Sequence, residues 1–454
     1  MAELQHDSVS DIDYSTVPVP YDARMPKFAL TMAWWAMCSG MFWVVVAATL
    51  AINFGSTNAL VGLALSVISY SLINAVIARF AITTGLSVAL FSRTLFGTAG
   101  AGVATVIFFV TAIYYSVFEA SVIAVAIHAY VPSVSLNAAY VIVVTYSVLF
   151  VLGSIQRWLD MFNGVLLPLY VIGLVAAVVT AMARYGVSSN WLHLGAGAGT
   201  LSVSGVWHTF TYFMGVWIVF MYTFDYARFG KLEDRAYHAN VDFGWPFYIV
   251  TFVVNGAVGI FLAGTVPTAG GLSEISAVLA LLKLMGVFGL LFVWVTQTRI
   301  NTTNFYLAAT NMHAFGEGIC GIKVPRFVWA TIVGVLVYLL MLTNVFSFIL
   351  QALAYQGIFV VAWVAIALGH ILFVSKSELE SAASPSVITG APLHVRGLTA
   401  WFGSAALGVI LTNLGGVAAS FSAPATALAA FSLYLLIPSR ESAAAWSSSE
   451  RRAS

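Results

Sequence analysis

The sequence predicts an all-α integral membrane protein with about 12 transmembrane helices. The composition is 61% hydrophobic and only 8% charged, with a mean hydropathy of +0.96. A soluble domain of 454 residues needs far more polar surface than this composition provides. The apolar segments are continuous runs of about twenty residues, whereas an outer-membrane barrel shows short alternating segments. A polytopic helical bundle is the class that remains.

Twelve apolar segments predict the transmembrane helices and their orientation. We place them near residues 28–53, 58–80, 102–129, 137–154, 162–184, 206–226, 243–265, 284–314, 327–344, 346–373, 398–416 and 422–437. With both termini in the cytoplasm, all of the 18 Lys and Arg residues except Arg184, Lys283 and Arg299 lie in inside segments. This charge distribution follows the positive-inside rule. We therefore predict a multi-pass protein of the plasma (inner) membrane with cytoplasmic N- and C-termini.

Polar content divides the chain into a ten-helix functional core and an appendage. Residues 1–26 lack an apolar signal-peptide region and are predicted to be a cytoplasmic tail. The spans with deep polar residues form a ten-helix core over residues 27–374, followed by a cytoplasmic loop at 375–397. Two peripheral helices occupy residues 398–438, and a cytoplasmic tail occupies 439–454. Cys38 and Cys320 indicate neither a disulfide framework nor a metal site.

Small residues in the first and sixth spans indicate places where a helix can break. The first span contains Cys38-Ser39-Gly40, and the sixth contains Gly215 next to Trp217. A break exposes backbone carbonyls that can bind an ion or a substrate. Alternatively, the small residues let another helix approach closely. Matching breaks in these spans favour two inverted five-helix repeats, at about 27–185 and 204–374, with a binding site between them.

The third span carries a polar stripe of Thr111, Tyr115 and Glu119 at helical spacing. A carboxylate at bilayer depth indicates a functional site. It is also explained by a structural ion pair with Arg299, the one cation at comparable depth. These two explanations are compatible, and the sequence leaves both open.

The eighth span contains the most polar intramembrane stretch of the chain, from Trp294 to Tyr306. Gln297, Asn301 and Asn304 share one helical face. The adjoining face is formed by Thr296, Arg299, Thr303, Tyr306 and Thr310. Amides and a cation at this depth cost several kcal/mol unless they face partners, water or a ligand. The rest of the bundle is therefore expected to enclose this stretch.

Several motifs, in this order along the chain, resemble signatures of the nucleobase–cation symporter-1 family, which includes cytosine, purine and allantoin permeases. The resemblance identifies the chain as a divergent, bacterial-type member. The matching residues are Val17-Pro18-Val19-Pro20 with Ala23-Arg24; Thr84-Gly85-Leu86 with Arg93 and Phe96-Gly97, around a short amphipathic helix; Pro168, which kinks the fifth helix; Asp225, Arg228, Phe229 and Gly230; and Asn301, Asn304 and Tyr306.

The resemblance implies a leucine-transporter-like fold and assigns roles to residues. The substrate ring would lie between Tyr115 and Trp217, and Asn301 with Asn304 beside it would read its edge, assisted by Gln297. Gating and structural roles fall on Arg93, Pro168, Asp225 and Arg228. The chain departs from the family pattern in having Tyr115 where tryptophan is common and Ala112 where some members use glutamine. Glu119 adds an acceptor for an amine or ring N–H.

The coupling ion depends on how the eighth helix is aligned. Sodium-coupled members use first-helix carbonyls, here near Gly40, together with two neighbouring eighth-helix hydroxyls. Anchoring the alignment on the asparagines and the tyrosine places Arg299 and Ile300 at the hydroxyl positions, so a guanidinium replaces the ion and protons drive transport. The alternative alignment keeps the hydroxyls as Thr302 and Thr303 and predicts sodium coupling. We favour the first alignment.

These observations predict a symporter that imports a nucleobase or related planar nitrogen heterocycle by alternating access, with no cofactor, bound metal or nucleic-acid partner. Its partners would be the heterocycle, a coupling cation, with H⁺ preferred to Na⁺, and the lipid bilayer. Sodium-coupled uptake of a hydantoin-, allantoin- or vitamin-like compound is the alternative. A membrane sensor or channel is a second one. An intramembrane enzyme is disfavoured because the spans lack a recognisable catalytic set.

Overall fold

Long helices dominate the computed structural model, which describes residues 17–152, 155–195, 199–268, 271–318, 321–322, 324–343, 345–374 and 392–438. The labelled helices are α1 (Lys27–Trp35), α2 (Met41–Phe54), α3 (Ser56–Thr84), α4 (Val88–Phe96), α5 (Gly100–Tyr130), α6 (Leu136–Leu152), α7 (Ile155–Tyr185), α8 (Val203–Met214), α9 (Ile218–Ala227), α10 (Asn255–Thr265), α11 (Ser276–Met285), α12 (Val287–Gly318), α13 (Arg326–Met341), α14 (Ile349–Gly369), α15 (Val395–Leu414) and α16 (Ser422–Leu436).

Short helical turns complete the architecture. They are Tyr21–Ala23, Ala36–Ser39, Asn190–His193, Leu232–Asp234, Arg235–Tyr237, His238–Asp242, Trp245–Tyr248, Ile249–Val254, Val345–Phe348, His370–Val374 and Gly416–Ser420. The turns from Leu232 onward continue into α10, so that Leu232–Thr265 forms one long apolar span.

Six helices are long and apolar enough to cross a membrane, or eight if each of two bent pairs counts as one span. The other predicted spans contain α6, α13 and α16, which are shorter, and α12, which carries the polar stretch. The predicted multi-pass helical class is confirmed, and twelve crossings stay a prediction.

Two helix pairs are broken in the same way. The axes of α1 and α2 meet at 41°, and those of α8 and α9 meet at 43°. These are the predicted first and sixth spans, where small residues indicated a break. Equivalent breaks five spans apart agree with a pair of five-helix repeats.

The core is built around α5 and α12, which pack along each other more extensively than any other pair of helices in the described ranges. The last two helices, α15 and α16, pack on each other and on α14. The Trp401 indole N–H donates to the Phe359 carbonyl at 2.9 Å, and the His370 ring lies 2.8 Å from the Tyr434 hydroxyl. The last two helices therefore form an appendage on one side of the core.

The segment before α1 is part of the folded structure. The Val19 amide donates to the Gly85 carbonyl at 3.0 Å, and the Met25 amide donates to the Phe229 carbonyl at 2.8 Å. Residues 17–26 therefore pack against the ends of α3 and α9 and do not extend as a free tail. Residues 1–16, the predicted loop at 375–391 and the predicted tail at 439–454 lie outside the described residues.

A buried histidine–aspartate pair lies in the turns that precede α10, and a hydroxyl of α1 binds to it. The Nδ1 of His238 lies 2.5 Å from the Oδ2 of Asp242, and both side chains are fully buried. The Thr31 hydroxyl of α1 donates to the same carboxylate oxygen at 2.9 Å. Nearby, the ammonium of Lys27 lies 2.7 Å from the Asp234 carboxylate. Polar contacts thus hold the predicted cytoplasmic half of the first broken helix.

The predicted turn, short helix and turn after α3 are present as α4 and its flanks. Ser87 caps α4 by accepting a hydrogen bond from the Leu90 amide. Gly85 and Gly97 have φ values of +68° and +83°, which favour glycine on either side of the helix. In contrast, the helix α11, which lies between the predicted seventh and eighth spans, was not predicted from the sequence.

Candidate functional site

The break between α1 and α2 frees backbone groups in the middle of the bundle. Residues Ala36–Ser39 form a 3₁₀ turn, and Gly40 is extended before α2 begins. A β-carbon at Gly40 would lie 3.2 Å from the Ile300 side chain of α12. Gly40 therefore agrees with both explanations given for a small residue in this span. The helix opens at Gly40, and α12 approaches it closely.

Arg299 binds the first of these freed carbonyls. One guanidinium nitrogen, Nη1, donates to the Ala36 carbonyl oxygen at 2.9 Å. The Ser39 hydroxyl donates to the same oxygen at 2.8 Å. A permanent cation therefore lies where a carbonyl of a broken helix faces the polar stretch of α12.

Two other side chains satisfy the remaining carbonyls of this break. The amide nitrogen of Asn255 donates to the Cys38 carbonyl at 2.8 Å, and its amide oxygen accepts from the Tyr170 hydroxyl at 3.2 Å. The Trp43 indole N–H donates to the Met37 carbonyl at 3.0 Å. The backbone at the first break is thus held by side chains from α2, α7, α10 and α12.

Gln297 serves the other end of the break. Its amide oxygen accepts from the Met41 amide at 3.2 Å, at the first residue of α2, and its amide nitrogen donates to the Thr296 hydroxyl at 3.1 Å. The side chain is fully buried and does not line the cavity described below. Its position does not support the predicted role in reading a substrate, because both ends of the amide are already engaged.

The break between α8 and α9 is organised differently. Its amides form short-range bonds within the turn, from Gly215 to Tyr212 and from Val216 to Phe213. A β-carbon on Gly215 would lie 2.4 Å from the Leu353 carbonyl oxygen of α14. The amide nitrogen of Gln356 donates to the Gly215 carbonyl at 3.2 Å. Close backbone packing on α14 therefore holds this break.

A cavity of about 110 Å³ lies between the two breaks and the α5–α12 pair. Its walls combine α1, the first break and α2 with the second break and α9, and with polar residues of α5 and α12. The lining residues are Ala33, Met37, Gly40, Phe42, Trp43, Tyr115, Glu119, Val216, Ile218, Val219, Tyr222, Tyr226, Arg299, Ile300, Thr303, Asn304 and Leu307. An engineered cavity of about 150 Å³ binds benzene, so this volume is of the order that holds a single planar ring.

Glu119 is the acidic group of the cavity. The side chain is 1% exposed, and its Oε2 atom is buried without a hydrogen-bond partner. Tyr115, one turn earlier, accepts a hydrogen bond from the Gln356 amide at 3.3 Å. The predicted ion pair with Arg299 is not formed in the described part of the chain, because the guanidinium is directed to the Ala36 carbonyl. Both charged residues nevertheless line the same cavity.

Only part of the polar stretch of α12 faces the cavity. Its lining residues Arg299, Thr303 and Asn304 spread over about 140° of the helix, at about 100° per residue. Asn304 lies at the edge of this sector. Asn301 lies about 60° beyond Asn304 and donates to the Ser147 hydroxyl of α6 at 2.8 Å. Its position does not support the predicted substrate contact, while Asn304 lies where that role requires.

The remaining predicted hydroxyls differ in position. Thr302 donates to the Thr298 carbonyl of its own helix at 2.7 Å and lies outside the cavity. Thr303 lines the cavity and donates to the Arg299 carbonyl at 3.2 Å. The alignment that predicts sodium coupling requires the hydroxyls of Thr302 and Thr303 at one site. The structure does not bring these two hydroxyls together.

Trp217 does not occupy the predicted stacking position. The side chain is 6% exposed, and its ring packs on Phe220 with 5.5 Å between ring centroids. Val216 and Tyr222 line the cavity on either side of it along the chain. The resemblance assigned the stacking ring to Trp217, and residues on either side of it line the cavity instead.

Three of the four predicted gating and structural residues lie at the end of the bundle beside α4, and Pro168 lies within α7. The Asp225 carboxylate accepts from the Val88 amide at 3.1 Å and so caps α4. Arg228 is buried, with its guanidinium 4.8 Å from the centre of the Phe229 ring. Arg93 is half-buried in the last turn of α4, and α7 continues as a helix through Pro168. These positions agree with structural roles, and none of the four residues lines the cavity.

Four aromatic residues of the cavity were missed as site residues. Phe42, Trp43 and Tyr222 are indistinguishable by pattern from core residues, and Tyr226 lies beside Asp225 near the end of its span. Their positions depend on the two breaks, which rotate one half of each span relative to the other. A break placed at Gly40 and Gly215 was the one sequence signal that pointed to them.

The comparisons with known proteins are structural. No protein-family model matches the chain, and no curated protein sequence matches it. A structure of Mhp1, described as a nucleobase-cation-symport-1 family transporter in a closed conformation with bromovinylhydantoin bound, aligns with a TM-score of 0.68 and 17% identity over 92% of this chain and 93% of that chain. The inward-facing conformation of Mhp1 aligns with a TM-score of 0.73 and 16% identity over 93% of each chain.

A manganese transporter of Eremococcus coleocola is also similar, with a TM-score of 0.51 and 14% identity over 94% of this chain and 96% of that chain. At such identities these likenesses establish the fold. The expected leucine-transporter-like architecture is thereby confirmed over nearly the whole chain.

Proposed function

We propose that the protein is a secondary active transporter of the nucleobase–cation symport-1 kind that imports a small planar nitrogen heterocycle. The observation that carries this proposal is the cavity between the two helix breaks, which α5 and α12 complete. Binding sites in transporters of this architecture lie at the repeat interface, near the middle of the membrane. The position of the cavity between the two breaks supports a binding site of this kind.

The chemistry of the lining favours a flat, polar-edged ligand. Phe42, Trp43 and Tyr115 supply aromatic surface, against which a ring is held by burial and stacking. Glu119 and Asn304 supply hydrogen-bonding groups at its edge. Mostly apolar walls with a few convergent polar groups are typical of small-molecule sites. The bromovinylhydantoin bound to Mhp1 is a planar nitrogen heterocycle of similar size, which supports the same class here.

Alternating access is supported by the fold. The chain resembles both a closed and an inward-facing structure of Mhp1. Residues of both helix breaks line the cavity, so motion about the breaks would open one side and close the other. We place the protein in the plasma (inner) membrane with both termini cytoplasmic, because the Lys and Arg residues favour that orientation.

Proton coupling is proposed in preference to sodium coupling. The guanidinium of Arg299 binds the Ala36 carbonyl, and a fixed positive charge there would repel a metal cation. The neighbouring carbonyls at Met37 and Cys38 already accept hydrogen bonds from side chains. A proton, unlike a sodium ion, needs no set of carbonyl oxygen ligands. It can therefore drive transport although Arg299 occupies the Ala36 carbonyl.

Ligand-induced thermal stabilisation of the purified protein tests the substrate class. Purines, pyrimidines, hydantoins and vitamin heterocycles would be compared at equal concentration. A ligand at 100 times its Kd stabilises by about 2.7 kcal/mol. We expect at least one planar heterocycle to raise the Tm, and stabilisation by none would contradict the proposal.

Counterflow in proteoliposomes distinguishes a transporter from a sensor or channel. Vesicles loaded with the unlabelled stabilising ligand should accumulate the labelled compound transiently. Binding without counterflow would favour a sensor, and ion conductance without exchange would favour a channel. Either result would overturn the transport mechanism.

A further inference from the structure

We propose that the protein binds an anionic phospholipid at the predicted cytoplasmic end of α3, where this helix packs against residues 235–254. Two arginines would hold the phosphate group, and exposed apolar side chains would hold the acyl chains. The site lies on the surface of the bundle and shares no residue with the cavity. The inference therefore goes beyond the proposed function and does not depend on which substrate is transported.

One face of α3 changes along its length from apolar to basic. At about 100° per residue, the exposed residues within a sector of about 60° include Leu65, Ile68, Leu72, Arg79 and Thr83. The first three present aliphatic surface within a helix that is long and apolar enough to cross a membrane. The last two follow at the end of the helix, where lipid headgroups lie. An amphiphile with an apolar tail and a polar head matches this order.

The neighbouring segment, residues 235–254, repeats this arrangement. Arg235 is exposed at its start, and Trp245, Ile249 and Val254 are exposed further along. Tryptophan is enriched at membrane interfaces, where its ring lies at the level of the headgroups. The helix α3 and its neighbour thus each carry an arginine at the predicted cytoplasmic end and apolar side chains toward the middle of the membrane.

Hydrogen bonds bring the two guanidinium groups to the same turn of α3. The Nη2 of Arg79 donates to the Asn240 amide oxygen at 3.2 Å, and the Nη1 of Arg235 donates to the Thr83 hydroxyl at 3.2 Å. Thr83 lies one turn after Arg79 and donates to its carbonyl at 2.7 Å. A guanidinium has five N–H donors, so these bonds to neutral oxygens leave donors for an anion.

This arginine pair, Arg79 and Arg235, forms no ion pair within the described ranges. The two acidic residues just before Arg235 have other partners, because Glu233 accepts from the Tyr21 hydroxyl and Asp234 binds the ammonium of α1. Guanidinium groups bind phosphate oxygens through paired N–H donors. Basic pockets between helices on the cytoplasmic side of membranes bind anionic headgroups. A phosphodiester would therefore supply the anion for the arginine pair.

Lipid binding by the purified full-length protein tests the proposal. Native mass spectrometry in detergent would compare phosphatidylglycerol with phosphatidylcholine of the same acyl chains. We expect the wild type to bind phosphatidylglycerol at least tenfold more tightly, because each arginine near the headgroup adds electrostatic attraction. The double variant Arg79→Gln/Arg235→Gln should lose this preference. Equal affinity of the wild type for the two lipids would overturn the proposal, whether or not the double variant folds.

Arg184→Gln is the matched control. Arg184 is also exposed and also donates to a neutral oxygen, the Lys283 carbonyl, at 3.5 Å. This variant should keep the preference for phosphatidylglycerol. A double variant that kept the preference, or a control that lost it equally, would overturn the assignment to the arginine pair.

Inorganic phosphate is the probe for a soluble anion at the same place. If phosphate alone raised the Tm of the wild type as much as phosphatidylglycerol does, the lipid would be the wrong ligand. We expect phosphate to have no such effect, because it lacks the acyl chains that the apolar faces would hold. Heterocycle binding is measured separately, so a failure of lipid binding would leave the proposed function standing.

Discussion

The two helix breaks have nearly the same bend and are stabilised in different ways. At the first, side chains of Arg299 and Asn255 bind the freed carbonyls of Ala36 and Cys38. At the second, the turn closes its own backbone bonds, and Gly215 packs against α14. The first break thus presents carbonyls to a cation, and the second presents close-packed backbone. Arg299 binds at the first break, and we propose that ion coupling is decided there.

Replacing the cation of the first break should have the largest effect. Arg299→Ala removes a charged donor from the Ala36 carbonyl, an interaction worth about 1.5–3 kcal/mol. Since about 1.4 kcal/mol corresponds to a factor of ten, we expect the initial rate of substrate uptake to fall tenfold or more. Arg299→Lys keeps the charge and loses the planar fork, so it should retain intermediate uptake. Normal uptake by the alanine variant would break the assignment.

A methyl group at the second break tests whether packing holds it. In Gly215→Ala the new β-carbon would lie 2.4 Å from the Leu353 carbonyl oxygen, a backbone atom that cannot rotate away. Overpacking of this kind costs about 3 kcal/mol at its upper range. Thermal unfolding in detergent should show a clear loss of Tm. The matched control is Gly403→Ala, where the nearest atom is 3.7 Å away and no loss is expected.

Asn255→Ala tests the side-chain network of the first break. The change leaves the Cys38 carbonyl and the Tyr170 hydroxyl without this partner, in a fully buried region. We expect a loss of about 2 kcal/mol in the free energy of unfolding. Asn53→Ala is the control, because exposed Asn53 bonds only within its own helix in the described structure. Equal stability of the two variants would show that the network contributes nothing.

Gln356→Ala should have the smallest effect. Its amide donates to the Gly215 carbonyl and to Tyr115, yet the second break also has its own backbone bonds and the packing of Gly357. We expect a loss of about 1 kcal/mol, the ordinary net contribution of a hydrogen bond. Measured beside Asn255→Ala by the same thermal unfolding, a larger loss at Gln356 would reverse the comparison of the two breaks.

Much of the fold follows from patterns that the chain carries locally. Long apolar runs predict the spans, and the small residues at Gly40 and Gly215 mark the breaks. Ser87 and Gly85 likewise predict the ends around α4. The helix α11 was missed because it is short and only Gly286 separates it from α12, so its apolar residues run on into the next span.

The cavity was predicted less completely, since it depends on rotation between elements. Tyr115, Glu119 and Asn304 were identified because polar groups at depth stand out from an apolar background. Asn301 shares that signal but faces α6, and only the packing of α6 against α12 decides which amide meets the cavity. Trp217 was predicted to line the cavity, but at the second break its neighbours do so instead. Sequence periodicity therefore identifies the polar helices and leaves their facing to tertiary packing.

Uptake into proteoliposomes under separately imposed gradients tests the central claim most directly. Wild-type protein would be given a proton gradient without sodium, or a sodium gradient at equal pH, with the heterocycle that stabilises it best. Because Arg299 binds the carbonyl of the first break, we predict concentrative uptake with the proton gradient alone and none with sodium alone. Strict dependence on the sodium gradient would contradict the account.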